Sequence, residues 1–343
     1  MSESAHTRRT VLRATGGLAA AAAGAPAVVG TARAVTDTGW YEATSPTSKT
    51  LYSTVMSNEG PMACGQDGNV LKWTDYGTWK VVVENGPATR ANTLRAMATT
   101  DDGKRVWFVG GSGVIGAYDN VSGLKYNYSA PKGKTSTWEA VAVTGTRENE
   151  TIYAANGSGE VLKGTTNDEG CVEWGSVAKP GSGSKLAAID VHSSKPQTVR
   201  AVDTSSNAFE TEDGGSTWTD VGIPNSQVPL YDVISYKTDS GQQRAYVSGG
   251  GGKIYRLDCN CNLWTPTDVG SATLNGVTRS ANDDVATVGS SGVAYEKVYG
   301  EEWAQMETPI DSDLREMAYG ENGTYPDVAV GASGKILERK QRA

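Results

Sequence analysis

The chain has 343 residues, with 31 Lys and Arg against 39 Asp and Glu, a formal net charge of −8. That surplus of acid opposes phosphate backbones and anionic lipid heads, so nucleic acid is excluded as the expected partner. With 42 Gly, only 2 Phe, and no long helical periodicity after residue 35, the composition points to an all-β protein rich in tight turns.

The first 34 residues stand apart. In HTRRTVLRA, Arg8 and Arg9 precede an uncharged run from Ala14 to Gly30, and TARA ends at Ala34 with small residues spaced for cleavage. This reads as a twin-arginine export signal over residues 1–34. The route carries folded proteins to the extracellular or cell-surface side of the envelope, so a single exported domain is expected over residues 35–343. The uncharged run includes four Gly and is too short and too weakly apolar for a transmembrane span, which takes about 20 strongly apolar residues. Without the signal's four Arg and one Glu, 27 basic and 38 acidic residues remain, a net of −11.

From residue 35 onward the sequence repeats. A glycine or asparagine turn followed by alternating apolar residues recurs at Gly68, Gly113, Gly159, Asn207, Gly252, Gly292 and Gly334. These residue types are expected because they tolerate positive φ at a hairpin corner. A second marker opens each unit with an apolar pair three residues apart: Tyr52 and Val55, Leu94 and Met97, Trp138 and Val141, Leu186 and Ile189, Leu230 and Val233, Leu274 and Val277, Leu314 and Met317. A third marker is an aromatic residue after the second hairpin: Trp79, Tyr126 or Tyr128, Trp174, Trp218, Trp264 and Trp303. Each unit therefore predicts four short strands. Seven such units predict a seven-bladed β-propeller, whose radial repetition leaves only short edges.

The last unit supplies its first strand at Leu314, its turn at Gly334 and a third strand in KILERK, then the chain ends. The missing fourth strand is found at the other end, in TGWYEAT with Trp40. The ring is thus expected to be closed by the N-terminal strand completing the C-terminal blade, which removes exposed strand edges.

One stretch, from Thr211 to Trp218, has the pattern Ser/Thr-x-Asp-x-Gly-x-Thr-Trp in full. Asp213 can accept turn amides, Gly215 can supply the unusual backbone angle, and Trp218 can pack beneath the hairpin. Decayed copies occur at Asp75/Gly77/Trp79 and Asp168/Gly170/Trp174. Repetition around the ring marks Thr211, Asp213, Gly215 and Trp218 as structural. On these residues the chain resembles the Asp-box (BNR) repeat propellers, within the wider WD40/YVTN-like group. In blade number, strand opening and turn pattern it is most similar to the seven-bladed propellers related to the photosystem II assembly and stability factor. That resemblance implies a non-enzymatic scaffold or assembly factor that binds a polypeptide partner through an arginine patch. Here Arg95 and Arg315 stand just inside first strands.

Chemistry finds little material. His192 is the one histidine after the signal, in a polar loop expected to be exposed, so serine or cysteine triads and histidine-rich zinc sites are not expected. Of four cysteines, Cys64 and Cys171 stand alone. Cys259 and Cys261 lie one residue apart at a hairpin tip, read as free thiols or, alternatively, a strained local disulfide. No metal, no cofactor and a monomer are expected. Ligands of propellers sit at the mouth of the central channel, near the first strands. The partner-binding candidates are Arg95, Glu139, Tyr231, Asp232, Asn275 and Arg315. The leading expectation is an exported scaffold binding a protein. The alternative is a glycan-binding or sialidase-like glycoside-hydrolase propeller, although the Arg-Ile-Pro motif of sialidases is missing.

Overall fold

In a computed structural model, residues 39–258, 263–320 and 323–340 are described. They form seven four-stranded antiparallel sheets, six of them simple meanders of consecutive strands and the seventh completed by the N-terminal strand, which confirms the seven-bladed propeller. The innermost strands of blades 1 to 7 are Leu51–Ser57, Leu94–Thr99, Trp138–Thr144, Leu186–Val191, Leu230–Lys237, Leu274–Arg279 and Leu314–Ala318. The helical elements among the described residues are three-residue 3-10 turns. Five of them sit in the hairpin between second and third strands, and a sixth, Pro131–Gly133, precedes blade 3. Cys259, Cys261 and the signal lie outside the described residues.

The apolar residues build seven separate cores, each clamped between two adjacent blades. The core between blades 3 and 4, for example, joins Tyr153 and Val161 to Leu186, Ile189 and Phe209, with Trp218 packed against it. Trp79, Trp264 and Trp303 play the same part from the outer strands of blades 1, 5 and 6. The aromatic marker of the sequence is thus a wedge that fixes one blade on its neighbour, and cutting a fully buried ring of this kind back to Ala costs about 3–5 kcal/mol.

The turn glycines answer to a second demand besides positive φ. Gly334 has φ +72, and a Cβ placed on it would stand 2.0 Å from the Thr47 carbonyl oxygen in the connection that enters blade 1. At Asn207 the expectation fails: the left-handed residue of blade 4 is Ser206, φ 70. Asp203 anchors that turn instead, its Oδ1 accepting the Ser205 and Asn207 amides at 2.8 and 2.9 Å.

The ring closes as the sequence predicts. The strand Tyr41–Glu42 pairs antiparallel with Ile336–Arg339, Tyr41 opposite Glu338 and Glu42 opposite Leu337. Glu338 is fully buried and clasps the seam. Its carboxylate accepts the Tyr41 hydroxyl at 2.7 Å, the Trp79 indole N–H at 2.8 Å and the Gly77 amide at 2.9 Å. One side chain of the last strand thereby ties the N-terminal strand and blade 1 together. Trp40 packs with Leu337 between blades 6 and 7, under the Arg339 guanidinium at 5.0 Å.

His192 departs from expectation. It is buried at the end of an innermost strand, where its Nδ1 accepts the Ser194 amide at 3.2 Å. Burial, then the nearby Arg200 and Lys195 charges, push its pKa down to about 4, so it stays neutral. The polar loop around it masked the burial in the sequence.

Candidate functional site at the channel mouth

Every innermost strand carries an irregularity at one position. The pairing to the second strand skips the residue after the opening apolar one, as between Leu51 and Ser53, Leu94 and Ala96, or Leu314 and Glu316. The same skip occurs in blades 3, 4, 5 and 6. A β-bulge leaves one residue out of the ladder and re-aims its side chain. Seven bulges therefore present Tyr52, Arg95, Glu139, Ala187, Tyr231, Asn275 and Arg315 to the central channel, a cavity of about 780 Å³ that all of them line. The register corrects the first-blade marker by one residue: Leu51 and Thr54 occupy the positions that Leu94 and Met97 hold in blade 2. Tyr52 thus joins the mouth, a residue that the phase of the other six blades could have revealed.

The mouth residues differ in how committed they are. Arg95 lies over the Tyr52 ring at 4.8 Å, with its Nε unpartnered. Arg315 pairs with Asp313 at 3.1 Å, again with an unpartnered Nε. Glu139 pairs with the exposed Lys185 at 3.0 Å. Asn275 is occupied, its amide donating to the Leu314 carbonyl at 2.7 Å across to blade 7. Asp232 is also occupied: Oδ2 accepts the Val277 amide of blade 6 at 2.8 Å and Oδ1 accepts the Val233 amide. Tyr231 lines the channel beside them.

Below the mouth, the same bridging device repeats. Ser53 Oγ accepts the Met97 amide of blade 2 at 3.1 Å. Asp190 Oδ2 accepts the Ser235 amide at 2.6 Å and its hydroxyl at 3.0 Å, joining blade 4 to blade 5. Burial pushes Asp190 up to about 7, against the hydrogen bonds from Ser235. Burial, with Asp190 nearby, pushes Asp232 up to about 7 as well. Glu316 is raised well above the usual carboxylate range by burial and by Asp232. Asp190 and Asp232 act as inter-blade staples, while Glu316 accepts the Met317 amide of its own strand at 3.0 Å; burial makes the charged form of all three costly and favours the protonated one.

The stretch Thr211–Trp218 is a closed hydrogen-bonded turn. Asp213 Oδ1 accepts the Ser216 and Thr217 amides, both at 2.9 Å, and Oδ2 accepts the Thr217 hydroxyl at 2.6 Å. The Thr211 hydroxyl donates to Asp213 and accepts the Gly215 amide at 3.0 Å, and Gly215 has φ +92. These bonds, led by the Thr217 hydroxyl, hold Asp213 well below the usual carboxylate range. Trp218 packs into the core between blades 3 and 4 and is not among the residues that line the channel.

The two faces of the disc differ in charge. In a four-strand meander, first strands begin on the face that also carries the hairpins between second and third strands. That face bears Lys49, Arg90, Lys132, Lys179, Lys185 and Lys253 around the mouth, interspersed with acids. The opposite face carries the hairpins between first and second strands, with Glu59, Asp101, Asp102, Glu148, Asp239 and Asp284. The protein's negative charge is concentrated away from the mouth.

No family model matches the sequence, and no curated protein matches it. Solved structures do. The structure described as YCF48 bound to D1 peptide superposes with a TM-score of 0.67 at 16% identity, over 88% of this chain and 97% of that one. The chain has the fold of WD40- and YCF48-type propellers. The WD40 propeller domain of Doa1 gives a TM-score of 0.68 at 12% identity, over 89% and 98% of the two chains. A chain of the mitotic checkpoint complex gives 0.68 at 12%, over 85% and 90%. At such identities the likeness is one of fold.

Proposed function

We propose that the protein is an exported, non-enzymatic propeller that binds a polypeptide partner at the channel mouth, as a scaffold or assembly factor of an envelope complex. The observation that carries this is the ring of seven bulges. It gathers two arginines with unpartnered Nε atoms and two tyrosines at one rim, on the less acidic face. Aromatic and arginine side chains are the residues that dominate binding energy at protein interfaces. The neighbours agree in kind: one is seen bound to a peptide and another stands within a multiprotein complex. The double arginine rather than a broad basic field implies a partner with one or two carboxylates at its contact point. The channel acids do not favour glycoside hydrolysis, because Asp190, Asp232 and Glu316 spend oxygens on backbone amides. The Arg8–Arg9 signal supports export and a place outside the cytoplasm.

Affinity capture of the native protein from its host, followed by identification of what accompanies it, tests this reading. A stoichiometric polypeptide is expected with the wild type, and its loss is expected with Arg95→Glu combined with Arg315→Glu in a variant that melts normally. Capture unaffected by that pair of substitutions would remove the mouth from consideration.

A further inference from the structure

A second groove, of about 490 Å³, lies on the circumference between blades 6 and 7. Its floor is Trp40 and Arg339, and one wall is the outermost strand of blade 6, Ala304–Met306. That strand ends its sheet, so it is hydrogen-bonded on one side only. An edge of this kind is a template for another strand.

The charges around the groove are not balanced. Arg339 is fully committed: its Nε donates to Asp327 at 2.8 Å and its Nη2 to Glu296 at 2.7 Å, and Glu296 also accepts the Tyr319 hydroxyl at 2.9 Å. Lys297 is turned onto the Glu301 backbone carbonyl. The carboxylates of Glu301, Glu302 and Glu307 line the groove, are exposed, and meet no cation among the described residues. Trp40 is nearly buried, 8% exposed, with its indole nitrogen enclosed by protein, and lines the groove as part of its rigid base. An open edge and three acids without a cation together describe a receptor for a basic chain in extended conformation.

We propose that this groove is a docking site for an extended basic segment of a partner polypeptide, which adds as a further strand along Ala304–Met306 with its Lys or Arg side chains toward Glu301, Glu302 and Glu307. The occupant's charge sign follows from those carboxylates, and its extended form from the strand edge. The site is independent of the mouth.

The test uses a fluorescent peptide alternating Lys and Val as the probe, with its Glu–Val counterpart and an N-methylated Lys–Val version as controls. Saturable binding of the Lys–Val peptide to the protein lacking residues 1–34 is expected. It should weaken about tenfold in Glu301→Gln/Glu302→Gln/Glu307→Gln, three exposed charge removals that leave folding intact. N-methylation, which removes the pairing amides, should abolish binding, and hydrogen exchange at Ala304–Met306 should slow on addition of the Lys–Val peptide. The Arg95→Glu/Arg315→Glu variant should bind as the wild type does, which separates this site from the mouth. Binding that survives N-methylation or the three Gln substitutions would show non-specific attraction to an acidic protein and overturn the proposal, as would no binding at all. Binding seen only when residues 1–34 are removed would identify the chain's own leader as a competing occupant and support the groove as a receptor for basic segments.

Discussion

Glu338 is the side chain on which most of the seam depends. It is a buried carboxylate with three donors aimed at it, from Tyr41, Trp79 and Gly77. Replacing it by Ala strands all three, one of them the indole N–H of a nearly buried ring. Glu338→Ala is therefore expected to lower stability by about 3–5 kcal/mol, a large part of a total of about 5–15. Glu338→Gln keeps one acceptor oxygen and should lose less. Denaturant unfolding of the two variants ranks them, and an Ala variant as stable as the wild type would deny the clasp. Nothing in KILERK announced this role, because a charged residue in a terminal strand reads as solvent-facing until its neighbours are known. His192 was misread in the same way: a polar loop says nothing of what packs over it. Asp213 was legible because its hydrogen bonds are local, to residues within four positions of it.

Among the elements, the innermost strands carry the inter-blade staples, and these set the response to pH. An unfolded Asp titrates near 3.9. In the folded protein Asp190 titrates at about 7, so the folded state holds the extra proton in between. Stability contributed by this group is greatest below about 4, falls as pH rises towards 7, and stays at its low value above that. Asp190→Asn keeps an oxygen for the Ser235 amide and has no charge to bury. The variant is expected to gain on the wild type in melting temperature at pH 8 relative to pH 5. A difference independent of pH would mean that Asp190 is ionised throughout. The strands themselves were readable from apolar spacing, since each opens on a residue that enters an inter-blade core. The bulge was not, because it is a property of the pairing and leaves no mark on a single strand. For that reason the first-blade marker slipped by one residue, and Asp232 and Asn275 entered the candidate site as free groups when the structure gives them to the neighbouring blades.

At the scale of the molecule, seven cores repeat around the axis and none is complete without the next blade. Stability is therefore shared, and the ring has one place where chain connectivity does not enforce it, between blade 7 and the N-terminal strand. The mouth exists only if that place closes, because its seven bulges must circle one channel. Closure was visible in the sequence as a shortfall at one end matched by a surplus at the other, a pattern of repeats rather than of local propensity. The partner proposed for the mouth was not visible, since a partner is selected by a handful of side chains that no repeat constrains. The most direct measurement is thermal unfolding of the protein lacking residues 1–34, with and without Gly39–Thr44. Removing that segment takes out Trp40, the Tyr41–Glu42 strand and one ligand of Glu338, and is predicted to cost at least the about 3–5 kcal/mol of a buried Trp, leaving a protein that unfolds or aggregates near ambient temperature. An unchanged melting temperature would contradict the closed ring.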